Sequence, residues 1–317
     1  MAAPTEDGFA QFDGLLSTAD VSQSPWTDST YIPNLDLLQR MLSLPISQGD
    51  KQESGRPAKA FDAWVAHELR RAGFPADGVF PRLRRPRVLS EGTGSLETKI
   101  EDLAAALEFA ERANERVKPT HLRRAIRAVT NHNLGQSTAY ILGDFYAKQI
   151  DVGLSSWERG PDILISTKTM FSAFGKNLKN RHEEAVGEVS SLRRRHPMAA
   201  MGYCYLVRED IVRQPNAYAT LYDILHRLRR PGEAFDATLL LAANWDDNNP
   251  AAGVQLLDEP AAELSASRFF KDIVEAVIDR SPNKVHQEVR HRRGGTPFAR
   301  VDLAWTDDVE LDEGINE

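Results

Sequence analysis

At 317 residues with 41% hydrophobic side chains, the chain can bury one large core or two smaller ones. Its one cysteine, Cys204, excludes an internal disulfide framework and a cysteine-only metal site, and favours a reducing, cytoplasmic compartment. The longest apolar run, near Ala237 to Ala243, is too short to span a bilayer, and an N-terminus holding Glu6, Asp7 and Asp13 without a base does not read as a secretory signal.

The net charge of −7 is unevenly placed. Residues 1–50 hold seven acids and one base, and residues 302–317 hold seven acids and no base, so the intervening body carries six excess bases. A basic body between acidic ends suits a polyanionic partner.

Residues 1–30 are rich in Ser, Thr, Asp and Pro and lack a period, which predicts loop or disorder. A short helix is predicted over 34–44. A stronger one covers 57–72, with Phe61, Trp64, Val65 and Leu69 at helical spacing and Gly73 as its stop. A Pro/Arg-rich connection spans 80–93. Helices follow over 96–117 and from Pro119 to about 129, so residues 31–130 read as a mainly helical region.

The pattern then changes. Strands are predicted over 147–154, 162–170, 199–207 and 237–243, and helices over 178–194, 217–228 and 264–278. Ser156 to Gly160 reads as the turn of a hairpin. The fold class is therefore α/β, a mixed central sheet flanked by helices over 131–305. Residues 306–317 read as an acidic, disordered tail.

Chemistry concentrates around the hairpin. Asp162, Leu164, Ser166 and Lys168 share one strand face, and Asp151 lies across the turn from Ser166 or Ile165. Asp162 and Lys168 are roughly 20 Å apart on a straight strand, too far for one metal ion unless the strand bends. The following helix carries Glu183, Glu184 and Glu188. Carboxylates and a lysine on neighbouring strands suit Mg²⁺-assisted attack on a phosphodiester.

Elsewhere the signals are weaker. Lys176, Lys179 and Arg181 lie where a loop enters that helix and could hold phosphates. Basic runs at Arg82–Arg87, Arg193–His196 and Arg290–Arg293 could grip DNA or face solvent. The histidines show no zinc spacing, Gly92-Thr93-Gly94 lacks a P-loop ending, and no Gly-x-Ser-x-Gly elbow occurs.

With Pro161-Asp162 in the place of "PD", and Ser166-Thr167-Lys168 in the place of "(D/E)XK", residues 136–245 resemble the PD-(D/E)XK nuclease superfamily of the Type II restriction endonucleases. The resemblance implies a restriction-endonuclease-like core, Mg²⁺ as cofactor, cleavage of double-stranded DNA to a 5′-phosphate and 3′-hydroxyl, and a homodimer for a palindromic site. It implies Asp162 or Asp151 as the first metal ligand, Lys168 beside the attacking water, and Ser166 in the usual acid position. A helix glutamate would replace that acid, Glu184 first and Glu183 second. The short spacing from Pro161-Asp162 to Lys168 leaves Asp151 and Asp162 both open. The alternatives are a same-fold nuclease effector of a defence or repair complex, and a catalytically silent nucleic-acid-binding protein.

Overall fold

The computed structural model describes residues 7–50, 54–83, 87–88, 100, 103–105, 108, 138–156, 158–229, 234–257 and 262–294. The helices predicted over 96–129 and the acidic tail lie outside the described residues, apart from residues 100, 103–105 and 108, which are helical.

Residues 10–18, predicted as loop, fold instead. A 3₁₀ turn at Ala10–Phe12 leads into α1 (Asp13–Thr18), because Phe9, Phe12 and Leu16 recur at helical spacing and are buried. Arg87, itself buried, ties this segment down through Asp7 and Asp13, at 2.8 and 2.9 Å. A small hairpin follows, β1 (Trp26–Thr27) and β2 (Thr30–Tyr31).

The helices α2 (Leu35–Ser47) and α3 (Arg56–Arg71) form where predicted. Asn34 caps α2 by accepting from the Leu37 N–H at 3.0 Å. Pro57 opens α3, and Gly73, at φ 101°, ends it. From Ala60 to Arg70 every α3 side chain is buried, polar ones included, so this helix lies inside the molecule rather than on it.

The main sheet contains β3 (Val79–Phe80), β6 (Val152–Ser156), β7 (Gly160–Met170), β8 (Ala200–Arg208), β9 (Ala237–Asn244) and β10 (Gln255–Leu256). Their spatial order is β10-β9-β8-β7-β6-β3. The β7-β8 and β8-β9 pairs are parallel and the outer pairs antiparallel, so the sheet is mixed. Crossover helices α4 (Phe174–Arg195) and α5 (Pro215–Leu228) join the parallel strands.

Both faces of the sheet are covered. On one, Leu164, Met201, Tyr203 and Leu240 pack with Phe174, Val189 and Leu192 of α4 and Leu221 and Leu225 of α5. On the other, Ile163, Ile165, Cys204 and Leu239 pack with α2, α3 and α6 (Ala266–Arg280). The N-terminal helices thus share a core with the sheet. A short α7 (Gln287–Arg292) follows. Among the described residues no helix is long and apolar enough to cross a membrane.

The predicted strand over 147–154 is two strands. It breaks at Asp151 into β5 (Ala147–Ile150), which among the described residues pairs with β4 (Ala139–Leu142) alone, and β6, which joins the main sheet. That break positions the candidate site.

Candidate active site at the open end of β7

Strand β6 pairs with β7 only as far as Val152 opposite Ile165. Beyond that point the chain turns away into β5, and the β6 side of β7 loses its ladder partner. A buried backbone N–H needs a substitute acceptor. Asp151, at the turn, supplies it: Oδ2 accepts from the Thr167 N–H at 2.9 Å. The same oxygen accepts from Ser166 Oγ at 3.3 Å and lies 3.8 Å from Lys168 Nζ. Lys168 Nζ in turn donates to Ser166 Oγ at 3.0 Å. Asp151, Ser166 and Lys168 therefore form one group, with the Asp151 and Lys168 side chains about one-fifth exposed.

Glu188 of α4 completes the group from above the sheet. It lines the same small cavity as Leu164 and Ser166, and its charge interacts with Lys168 and Asp151. It makes no hydrogen bond or ion pair among the described residues. Burial holds its carboxyl above the usual range, with Lys168 opposing that rise and Asp151 adding to it. Tyr203 and Tyr205, opposite Ser166 and Lys168 in register, form the buried floor. Burial raises the Tyr205 hydroxyl to about 12.

On the other face of the sheet, Asp62 of α3 accepts from Thr167 Oγ1 and from Lys59 Nζ, the latter at 3.1 Å. Burial, with Asp151 as a second cause, pushes its carboxyl up to about 6. Thr167 thus links two acids, through its hydroxyl to Asp62 and through its N–H to Asp151. Asp62 went unread in the sequence, although its signal is there. It shares a helix face with Val65 and Leu69, so a charge interrupts an apolar stripe.

Asp162 is placed elsewhere. Between Leu154–Ile163 and Ser155–Pro161 the register shifts, leaving Asp162 as the extra residue of a bulge. The bulge turns its carboxylate toward the α6/α7 face, where it meets Arg159 at 3.0 Å and His286 at 3.4 Å. His286 packs edge-on against Phe74 of that core. Burial acts to raise the Asp162 carboxyl, but the nearby His286 ring and the hydrogen-bonded Arg159 outweigh it and hold it below the usual range. Asp162 is therefore separated from Lys168, and its role is to close the start of β7.

The helix glutamates also separate. Glu183 is exposed, and Glu184, 58% exposed, pairs with Arg181 at 2.7 Å. Glu188, one turn beyond Glu184, is the one whose charge interacts with that of Lys168. The buried stripe of Ala185, Val189 and Leu192 faces the sheet. Glu188 sits three residues after Ala185 and four before Leu192, on that stripe's border.

Lys179 and Arg181 are exposed near the start of α4, and the side chain of Lys176 lies outside the described residues. Most arginines of the basic runs are paired within the fold. Arg82 meets Asp77, Arg193 meets Asp236, Arg292 meets Glu288, and Arg293 meets Glu275. Arg290 donates to the backbone oxygens of Val285, Ile278 and Ser281.

Among the described residues no three His, Cys, Asp or Glu side chains converge as a metal cage. Mg²⁺ does not require one, since it is commonly held by one or two carboxylates, water and substrate phosphate. Asp151 Oδ1, free of hydrogen bonds among the described residues, and the unpaired Glu188 carboxylate have that character. Comparison of the chain with family models, curated proteins and solved structures finds no match.

Proposed function

We propose that the chain is a Mg²⁺-dependent endonuclease of restriction-enzyme type that cleaves double-stranded DNA, in the cytoplasm, by phosphodiester hydrolysis. The observation that supports it is the Asp151–Ser166–Lys168 group at the unpaired end of β7, faced by an unpartnered Glu188. An ordinary structural ion pair does not call for a second, half-buried carboxylate beside it.

In this reading Asp151 and Glu188 would hold Mg²⁺, which when bound supplies charge neutralisation at the phosphate and a more acidic water. Lys168 orients the attacking water and faces the developing charge on the phosphate oxygens. Ser166 holds the Lys168 ammonium in place, and the Thr167 N–H fixes the Asp151 carboxylate. Asp62 braces Thr167 from the far face. Cutting both strands of a duplex calls for two such sites, hence a two-fold pair of chains.

The test is digestion of plasmid and phage DNA with purified protein, with Mg²⁺ and with EDTA. Discrete fragments that require Mg²⁺ support a restriction-type enzyme, and a smear supports a nuclease effector targeted by partner subunits. Ser166 favours a second reading, a silent nucleic-acid-binding protein, because a hydroxyl is a poorer Mg²⁺ ligand than a carboxylate. Absence of cleavage with DNA binding retained would select it.

A further inference from the structure

The β4-β5 hairpin leaves the main sheet at Asp151 and stands as a two-stranded ribbon. Such a ribbon is marginal alone, and here it is fastened to the end of α4. The Asp144 N–H donates to Ser191 Oγ at 3.0 Å, and Arg194 meets Asp144 at 3.1 Å. His196 Nε2 lies 2.9 Å from the Leu142 carbonyl oxygen. Gly143 permits the approach, since a Cβ there would lie 2.5 Å from Ser191 Oγ.

The ribbon presents aromatic side chains to water. Phe145 at its tip is 84% exposed, Tyr146 59% and Tyr140 58%. Lys148 Nζ sits 4.5 Å from the Tyr146 ring centre, and its charge also reaches Glu188. Tyr146 and Lys148 therefore lie between the hairpin tip and Asp151, where the chain enters the candidate site. Arg195, exposed, adjoins Arg194, whose charge is taken up by Asp144. Asp151 to Tyr146 is five residues, or about 16 Å of strand, a span of a few nucleotides.

Exposed rings with cations between them suit unpaired bases and their phosphates. We infer that the β4-β5 hairpin is a strand-holding arm: a single-stranded flank leaving the candidate site runs over Lys148 and stacks its bases on Tyr146 and Phe145. This rests on the nuclease reading for what occupies the site, and it narrows the substrate to DNA with a frayed or single-stranded flank.

The experiment measures, in EDTA, binding of a fluorescent duplex with a single-stranded tail and of the same duplex blunt-ended. Wild type, Phe145→Ala/Tyr146→Ala and Lys148→Ala are compared, with oligomeric state followed by sedimentation. The wild type should prefer the tailed duplex, and the double variant should lose about ten-fold or more on the tailed duplex only. Lys148→Ala should reduce the salt dependence of tailed-duplex binding by about one phosphate contact. Equal binding of both duplexes by the wild type, or an undiminished preference in the double variant, overturns the arm. So does a dimer that the double variant dissociates without change in DNA binding, which would make the ribbon a self-association surface. Because no metal is present, a tail preference can stand even if Mg²⁺ digestion fails. Cleavage without tail preference removes the arm and leaves the nuclease reading.

Discussion

The two ends of β7 carry the same chemical types, an acid with a base close by, and the surroundings use them differently. At the start, Asp162 is held by Arg159 and His286 and is pushed below its ordinary range. At the far end, Asp151 satisfies one backbone N–H while Lys168 hangs between it and Ser166, and Glu188 faces them without a partner. A closed set of ion pairs fixes a strand. A set with carboxylate oxygens left over can hold a cation and polarise water. The difference comes from topology: β6 covers one end of β7 and turns away from the other.

The sharpest way to break this contrast is Lys168→Ala. If the open end is the catalytic one, Mg²⁺-dependent cleavage should fall by about 10²–10⁴-fold while DNA affinity stays close to wild type. Cleavage that survives would remove Lys168 from the mechanism.

Next comes the pair Asp151→Asn and Asp162→Asn. Asp151→Asn should lose cleavage by about 10²-fold or more. Asp162→Asn should keep its activity and lose roughly 1–3 kcal/mol of stability, because Arg159 and His286 lose a charged acceptor. Cleavage assays beside urea unfolding curves would check both, and the opposite assignment would relocate the site to the bulge.

Glu188→Gln and Glu184→Gln test the helix in the same manner. Glu188→Gln should cost about 10-fold to 10²-fold in cleavage and raise the Mg²⁺ concentration required. Glu184→Gln should change little, because an exposed pair with Arg181 contributes about 0–1 kcal/mol. Equal losses in the two would mean that α4 approaches the site in a different rotation.

The helices and strands of the sheet core were legible because their periods are strong: continuous apolar runs for the buried strands, and Phe61, Trp64, Val65 and Leu69 for α3. The kinship of Asp151, Ser166 and Lys168 was also legible, through cross-strand spacing. What was hidden is local irregularity. A one-residue bulge turns Asp162 to the other face, and its local cue is only Gly160-Pro161, residues a strand tolerates at a bulge or an end alike. The break at Asp151 is equally quiet, since β5 and β6 together read as one strand. The choice among Glu183, Glu184 and Glu188 depends on the rotation of a long helix, which its apolar stripe, read more strictly, would have given. Residues 10–18 look polar overall, yet Phe9, Phe12 and Leu16 suffice to dock them once Arg87 neutralises Asp7 and Asp13.

The smallest effect, and the one that reads both ends of β7 at once, is the pH dependence of stability. Asp62, raised to about 6 against 3.8 for an ordinary aspartate, favours its protonated form in the fold. Its contribution is complete below pH 4 and is lost as pH rises to about 6, at most about 3 kcal/mol. Asp162 has the opposite sign. Its lowered carboxyl stabilises the fold above pH 4, and that contribution disappears as pH falls further. Urea unfolding at stepped pH should therefore show Asp62→Asn with a flatter profile between pH 4 and 6, and Asp162→Asn unchanged there but less sensitive to acid below. If Asp62→Asn kept the wild-type slope, Thr167 would not be braced by a carboxyl that resists ionisation. The support beneath Asp151 would then have to come from the strand alone.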